Sequence, residues 1–498
     1  MSLENYNDIP REKFAFAGES QTMRGEKPQS PPVGYFKDAW RRFRKNRASI
    51  VGACIILFLI LFSLAAPLFS SYRLGFSDTV LRNRIPKIGL LARVGIATGS
   101  YEKALNEKAF AYYEGIGIGA SYDPALDTED ISAGVGGHYS PIRAVKSREE
   151  KSATVQMDAY YEIGFQYMIV TQSEYHKIRA YEEETGTQVL YPMVDTAQEG
   201  LADSDDANSW YETQRGLPVL AGDGSYRDLY LRDAQGNVRY FVNSDKSSLK
   251  IRVLYASYFV YTNGTEAAFP FGSNAVGQDI LIRLAAAIRL SLLLSLGVSV
   301  LNLAIGTIFG MIEGYYGGKT DLILERLVDI LSGVPFIIVA SLFQLYLANK
   351  VGMVTALLFA FVITGWIGIA SRVRSQFYRF KNQEYVLSAR TLGAGDLRLM
   401  FRHIFPNTLG TIITSSALII PGVIFSESML SYLGIVNLRG AGTASLGTML
   451  SDGQTLLSSY PHVLFFPAMV ISLLMISFNL FGNGLRDAFN PSLRGVEE

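Results

Sequence analysis

Long apolar runs, interrupted once by a large polar block, leave this chain few ways to fold. Ala48–Phe69 carries no charged residue, and about 20 apolar residues suffice to cross a bilayer as a helix. Further spans are read at Leu290–Gly314, Asp321–Leu347, Val354–Ala370, Thr408–Phe425 and Val463–Phe481. The expectation is about six transmembrane helices. Bases set their orientation. Arg41, Arg42, Arg44 and Arg47 precede the first run, and Arg372, Arg374, Arg379 and Lys381 follow the fourth. Positive residues mark the cytoplasmic side, so both termini are expected there. Charged residues make up 18% of the chain and the formal net charge is zero. This excludes a polyanion-seeking nucleic-acid binder. The first apolar run starts far from the amino terminus, so no cleavable signal peptide is expected.

Ahead of the first span, residues 1–33 read as a disordered cytoplasmic tail, being rich in Glu, Pro, Ser and Gly. In residues 34–47, Phe36, Ala39, Trp40 and Phe43 fall on one helical face among bases, the pattern of a helix lying in the membrane interface. The first span is then 48–69.

Between the fourth and fifth spans lies a module, 382–407, with the grammar of two short helices around a glycine elbow. Asn382 is the expected N-cap and Glu384 sits in the first turn, where the dipole favours negative charge. Val386, Leu387, Ala389 and Leu392 recur at helical spacing, and Gly393 supplies a left-handed stop. Asp396 is expected to cap a second helix with Leu397, Met400, Phe401 and Ile404 as its apolar stripe, ended by Pro406. A segment in water keeps so many apolar residues exposed only where a partner covers them.

These residues resemble the cytoplasmic coupling loop of ABC importer permeases: Glu-Ala-Ala, three residues, Gly, nine residues, then a short apolar run ending in Leu-Pro. Leu387-Ser388-Ala389 stand in the first three places, Gly393 holds the glycine, and Phe405-Pro406 close the pattern. The leading Glu, the middle Ala and the closing Leu are therefore replaced. Pro270–Arg283 is similar to the family's approach to its second span, with departures at Phe271, Ser273, Asn274 and Gln278. Gly314-Tyr315-Tyr316-Gly317-Gly318, Ser445–Leu450 and Asn483–Pro491 also match. Together they resemble the second permease subunit of oligopeptide/dipeptide importers. The fold implied is an α-helical polytopic membrane protein, a type I ABC importer permease, with an α/β domain inserted between its first and second helices. The resemblance implies a related second permease subunit, two ABC ATPase subunits and an extracytoplasmic peptide-binding protein as partners. It places ATPase contact on Glu384, Tyr385, Leu387, Ser388, Ala389, Arg390, Leu392, Gly393, Ala394, Asp396, Phe405 and Pro406. No Gly-x-x-x-x-Gly-Lys-[Ser/Thr] phosphate loop occurs in this chain. ATP and Mg are therefore expected on the partners, with no cofactor, metal or catalytic residue here. Nickel-chelate or glycoside cargo would fit the same architecture, and a membrane receptor using the polar domain as a sensor is a competing reading.

Residues 70–269 are that polar, tyrosine-rich insert, expected outside the cytoplasm; 270–498 would be the permease core. A helix is predicted after Ser100, with Tyr101, Ala104, Leu105 and Ala109 in register, and a strand over Gly164–Thr171. Ser173 would cap a helix stopped by Gly186. Gln188–Val194 and Lys250–Tyr261 read as strands, and Asp228–Arg232 and Val238–Val242 as a hairpin around Asp233–Asn237. Gly115, Gly117 and Gly119 read as a turn, since no dinucleotide fingerprint follows. Asp203, Asp205 and Asp206 lack EF-hand spacing. His138 and His176 lack ligand spacing. The single cysteine, Cys54, excludes a disulfide framework. The tyrosines are expected mainly in the core, with a docking face for a binding protein as the alternative.

In the core, Gly306, Gly310 and Gly314 form a small-residue ridge for close helix approach, within this subunit or against a sister. Arg283 and Arg289 are expected to snorkel at the outer interface. Arg326 and Asp329 are spaced to pair. Glu427 is expected at the outer end of the fifth span, solvated or capping.

Overall fold

The computed structural model describes residues 35–489, apart from 93, 94, 96, 246 and 439–443. The tail expected at 1–33 and the closing Asn490-Pro491 lie outside the described residues. Helix α1 (Tyr35–Lys45) buries Ala39 and Phe43 against Ala488 and Phe481, near the far end of the chain. Trp40 turns away and is exposed. Asn46 then caps α2 (Arg47–Phe69) by accepting from the Ser49 amide.

The described residues of the insert form three antiparallel sheets, of three, four and two strands. After a short helix α3 (Gly89–Ala92) come β1 (Ser100–Asn106), α4 (Glu107–Ala120), β2 (Ile142–Arg148) and β3 (Ser152–Asp158), with sheet order β1-β3-β2. The helix predicted from Ser100 is thus a strand followed by a helix. Ser100 through Asn106 pair residue by residue with Asp158 through Ser152, and Asn106 caps α4 on the Ala109 amide. The apparent helical period straddled that junction. Next come β4 (Phe165–Thr171), α5 (Gln172–Thr185), β5 (Leu190–Tyr191), β6 (Thr213–Gln214), β7 (Leu217–Pro218), β8 (Phe241–Asn243), β9 (Ser248–Leu254) and α6 (Tyr255–Asn263). β9 is the hub of the second sheet, paired with β4, β5 and β8. The cap of α5 is Thr171, not Ser173, while Gly186 stops it at φ +70°. The strand expected over Lys250–Tyr261 ends at Leu254, and its second half is α6. Of Gln188–Val194 only Leu190–Tyr191 is strand, with Val194 bridging Tyr230. The Asp233–Asn237 turn closes a single bridge, Arg232 to Val238.

Gly115, Gly117 and Gly119 lie within α4 rather than in a turn. A Cβ at Gly119 would come 2.7 Å from Trp210 Nε1, and one at Gly115 would come 2.6 Å from the Tyr211 ring. The glycines let the fully buried Trp210 reach the helix, where its Nε1 donates to Gly115 O at 2.9 Å. Tyr230 stacks on Trp210 with centroids 5.5 Å apart. Tyr122, Tyr191, Tyr211 and Tyr226 complete this aromatic core, which ties together strands too short to hold by hydrogen bonding alone.

The insert is latched to the membrane part through 270–279. The Arg84 amide donates to Ser273 Oγ at 2.7 Å, and the Asn83 amide to Asn274 O at 2.9 Å. Gly277 has φ +72°, and a Cβ there would sit 1.6 Å from Asp78 O. Only glycine fits. Asp279 then caps α7 (Ile280–Tyr316), accepting from Leu281 N and Ser70 Oγ.

The remaining helices are α8 (Gly318–Ser332), α9 (Phe336–Tyr346), α10 (Ala348–Val351), α11 (Met353–Gly365), α12 (Ile367–Phe380), α13 (Glu384–Thr391), α14 (Asp396–Arg398), α15 (Phe405–Ala417), α16 (Ile419–Tyr432), α17 (Leu446–Gln454) and α18 (His462–Phe489). Among the described residues, four helices are long and apolar enough to cross a membrane: Arg47–Leu68, Ile280–Tyr316, Met353–Phe380 and His462–Phe489. Asp396–Thr414 with Ile419–Tyr432, bent by 43°, makes a fifth if it is one span. The span expected at Asp321–Leu347 is instead α8 and α9, parted at 333–335, where Pro335 cannot donate and restricts the residue before it. The bases Arg372, Arg374 and Arg379 lie on α12 itself, because the fourth helix runs on to Phe380.

The glycine ridge of α7 packs within this subunit, against α12. Cβ atoms at Gly306, Gly310 and Gly314 would lie 2.7 Å from Trp366 O, 2.3 Å from Ala370 O and 2.6 Å from Phe377 Cβ. Two expected polar placements change. Arg283 is buried rather than snorkelling, and half-buried Arg289 donates to Ser63 O at 2.8 Å. Glu427 is buried, accepting from Ser291 Oγ and Ser431 Oγ, each at 3.1 Å. Arg326 and Asp329 do pair, on the exposed face of α8.

Candidate coupling surface

The module 382–407 is built on an inward apolar face. Val386 of α13 is fully buried with Leu399, Met400 and Ile404, against Met311 of α7 and Phe377 of α12. Gln383, not Asn382, occupies the N-cap, with no side-chain capping bond, and Glu384 is in the first turn. Gly393 follows the helix at φ +83°, a conformation that costs a residue with a Cβ about 1–2 kcal/mol. Gly395, not Asp396, stands at the next cap, and α14 gives way to a π-helical turn over Leu399–Ile404. Its Phe405 amide bonds back to Met400 O, five residues earlier. Pro406 therefore does not end the helix. It sits in the first turn of α15, directly after the π turn, and has no N–H to offer that turn's carbonyls.

The wide turn also divides the stripe expected from Leu397, Met400, Phe401 and Ile404. Met400 and Ile404 face inward with Leu399, while Leu397 and Phe401 are exposed. Each π turn holds an extra residue and rotates the face that follows.

Polar contacts fix the module to the membrane helices. Tyr315 at the end of α7 donates to Asp396 Oδ1 at 2.6 Å, and Arg390 Nη2 lies 3.4 Å from the same hydroxyl. Lys381 Nζ donates to Gly314 O at 3.0 Å. Burial holds the Lys381 ammonium below the usual lysine range, with nearby Arg390 adding to the effect and Asp321 opposing it. Asn407 Nδ2 donates to Tyr385 OH at 3.1 Å and to His403 O at 2.9 Å. Burial is also the main cause raising the Tyr385 phenol, partly offset by the Asn407 bond. Arg374 of α12 lies beside these contacts, bonding Asp321 through two nitrogens at 2.7 and 2.9 Å and Glu325 at 3.0 Å. Asp321 and Glu325, with Glu313, form a carboxylate cluster, and this arginine pairs with all three.

Of the residues singled out from the sequence, Glu384, Tyr385, Leu387, Ser388, Arg390, Leu392, Gly393, Asp396 and Pro406 are exposed. Ala389, Ala394 and Phe405 are half-buried, packed on the inward face. Leu392 is 88% exposed, Leu397 68% and Phe401 54%. No spacing in the chain points to Tyr315 as the tether, since it lies 81 residues from Asp396.

Two family profiles match this chain. The one described as "Binding-protein-dependent transport system inner membrane component" covers residues 306–495, and "N-terminal TM domain of oligopeptide transport permease C" covers 34–86. The oligopeptide transport system permease protein OppC of Bacillus subtilis (strain 168) is 46% identical over 224 residues, 45% of this chain and 72% of that protein. This chain belongs to the OppC/DppC-type family of transport permeases. The dipeptide transport system permease protein DppC of the same organism is 40% identical over 225 residues, 45% of this chain and 69% of that one. The permease therefore has the type I ABC importer fold and is a multi-pass membrane transport component. An inward-facing structure of the MetNI methionine ABC transporter aligns at 14% identity with a TM-score of 0.36, over 42% of this chain and 96% of that one. Neither family profile covers residues 87–305, where most of the insert lies.

Proposed function

We propose that this permease forms half of the translocation pathway of an ATP-driven importer for oligopeptides or dipeptides. A related permease subunit forms the other half, and an extracytoplasmic binding protein delivers cargo. The module 382–407 faces the cytoplasm and docks on one of two ATPase subunits, which bind ATP and Mg. Closure of the ATPases pushes the module, and its anchored face passes the motion to α7 and α12. Nucleotide shifts the equilibrium between inward-open and outward-open states because the two bind it differently. Both termini are cytoplasmic, and residues 70–269 stand outside, where they dock the binding protein or gate the outer mouth. The names of the relatives support peptide cargo.

The single observation carrying the mechanical reading is Leu392, almost fully exposed at the Gly393 elbow of a module whose opposite face is locked to two long helices. The test is peptide uptake by the reconstituted importer. Arg390→Glu or Gly393→Val should abolish ATP-driven uptake while membrane insertion is unchanged. Normal uptake in both variants removes the coupling role. Recovery of the permease without any ATPase subunit under gentle extraction would favour a receptor instead.

A further inference from the structure

A second site lies away from the coupling surface, among α7, α9, α11 and α16. It is a cavity of about 330 Å³ whose wall includes Asn302, Phe336, Thr364, Gly365, Gly422 and Ser426. None of its lining residues is charged. Three helix breaks converge on it. Phe336 opens α9 just after the 333–335 break, Thr364 and Gly365 end α11 before Trp366, and Gly422 follows the junction of α15 and α16. Such breaks leave backbone acceptors short of donors. Pro421 has no N–H to offer the carbonyl of Ala417, for example. At membrane depth, interrupted helices are tolerated where they are buried in protein or line a polar cavity.

Asn302 of α7 strengthens the case. It is 1% exposed and its Oδ1 has no hydrogen-bond partner, while its Nδ2 reaches Phe361 O only at 3.5 Å. A Cβ at Gly365 would lie 2.2 Å from Nδ2, so the glycine admits the amide to this wall. A buried acceptor without a partner is costly, and one that persists calls for a reason. We infer that Asn302, Thr364 and Ser426 form a transit site whose oxygens accept main-chain N–H groups of a peptide in passage. Phe336 and Phe361, with ring centroids 4.8 Å apart, flank its variable side chains. The main chain is what peptides of any sequence share, and an uncharged wall penalises neither acidic nor basic cargo. This assignment rests on the peptide-import reading above.

The test is ATP-driven uptake by the complete importer, in liposomes, of a peptide and its backbone N-methylated analogue. The ratio of the two rates is compared between wild type and variants, so that any preference of the binding protein cancels. Loss of one neutral hydrogen bond predicts that the ratio falls about fivefold in Asn302→Leu, with a smaller fall in Ser426→Ala and Thr364→Val. Should Asn302→Leu fail to assemble, the two hydroxyl variants decide. Equal slowing of both peptides, or no change in ratio, would make these residues packing elements and overturn the site. Absence of peptide uptake in wild type would instead sink the cargo reading itself.

Discussion

The coupling surface can be removed without touching the fold, because its outward apolar residues make little contact within this chain. The perturbation is Leu392→Ser, Leu397→Ser and Phe401→Ser together. Full burial of such a side chain is worth about 1.5–3 kcal/mol. Weighted by exposures of 88%, 68% and 54%, covering all three would give about 3–6 kcal/mol. Ordering and imperfect contact at an interface reduce that to about 2–4 kcal/mol. ATPase association should therefore weaken roughly 30- to 1,000-fold. The permease itself should keep its thermal stability to within about 0.5 kcal/mol, as surface substitutions do. Both quantities are measurable on the permease pair in nanodiscs, titrated with purified ATPase subunits and followed by thermal unfolding. Unchanged association in the folded triple variant would refute the argument. So would a loss of association matched by an equal loss of stability, since the residues would then be part of the core.

Two further predictions concern the frame. Gly310→Val should cost about 3 kcal/mol or more and lower the yield of folded permease, because its Cβ would meet Ala370 O at 2.3 Å. Gly297→Ala, where only Leu358 Cδ1 stands near at 3.5 Å, should be tolerated, and thermal unfolding in detergent separates the two. In the insert, burial pushes the Glu129 carboxyl up to about 7, reinforced by Asp228 and Asp127 and opposed by the Tyr230 bond. A carboxyl whose folded value lies above its unfolded one stabilises the fold most at low pH. That contribution declines as pH rises from about 4.5 through 7, by on the order of 2 kcal/mol after allowing for partial exposure. Glu129→Gln should flatten the fall in melting temperature between pH 5 and 8, and an unchanged profile would place the titration elsewhere.

Features encoded locally were legible in the sequence. Gly186 and Gly393 do adopt left-handed conformations, since a glycine after a helical run needs no distant partner to act as a stop. The strand over Phe165–Thr171 was legible because Phe, Tyr, Ile, Val and Thr, all strand formers, fill it. Features decided by distant partners were not. Ser100–Asn106 shows a helical period, but pairing with Ser152–Asp158 makes it a strand. Glu427 reads as an end-of-span carboxylate, yet it is buried because Ser291, 136 residues away, and Ser431 donate to it. The coupling module shows both cases. Its elbow was legible, whereas the split of Leu397 and Phe401 from Met400 and Ile404 depends on a π turn that no residue spacing announces.

The central claim is that the Gly393 elbow faces the cytoplasm and is covered there by an ATPase. Leu392→Cys in a Cys54→Ala background leaves this chain one thiol, since Cys54 is its single cysteine. A membrane-impermeant maleimide, applied to right-side-out and inside-out vesicles with and without ATPase subunits, reads both halves of the claim. The account predicts labelling only in inside-out vesicles and protection when the ATPase is bound. Labelling of right-side-out vesicles, or no protection by the ATPase, would contradict it.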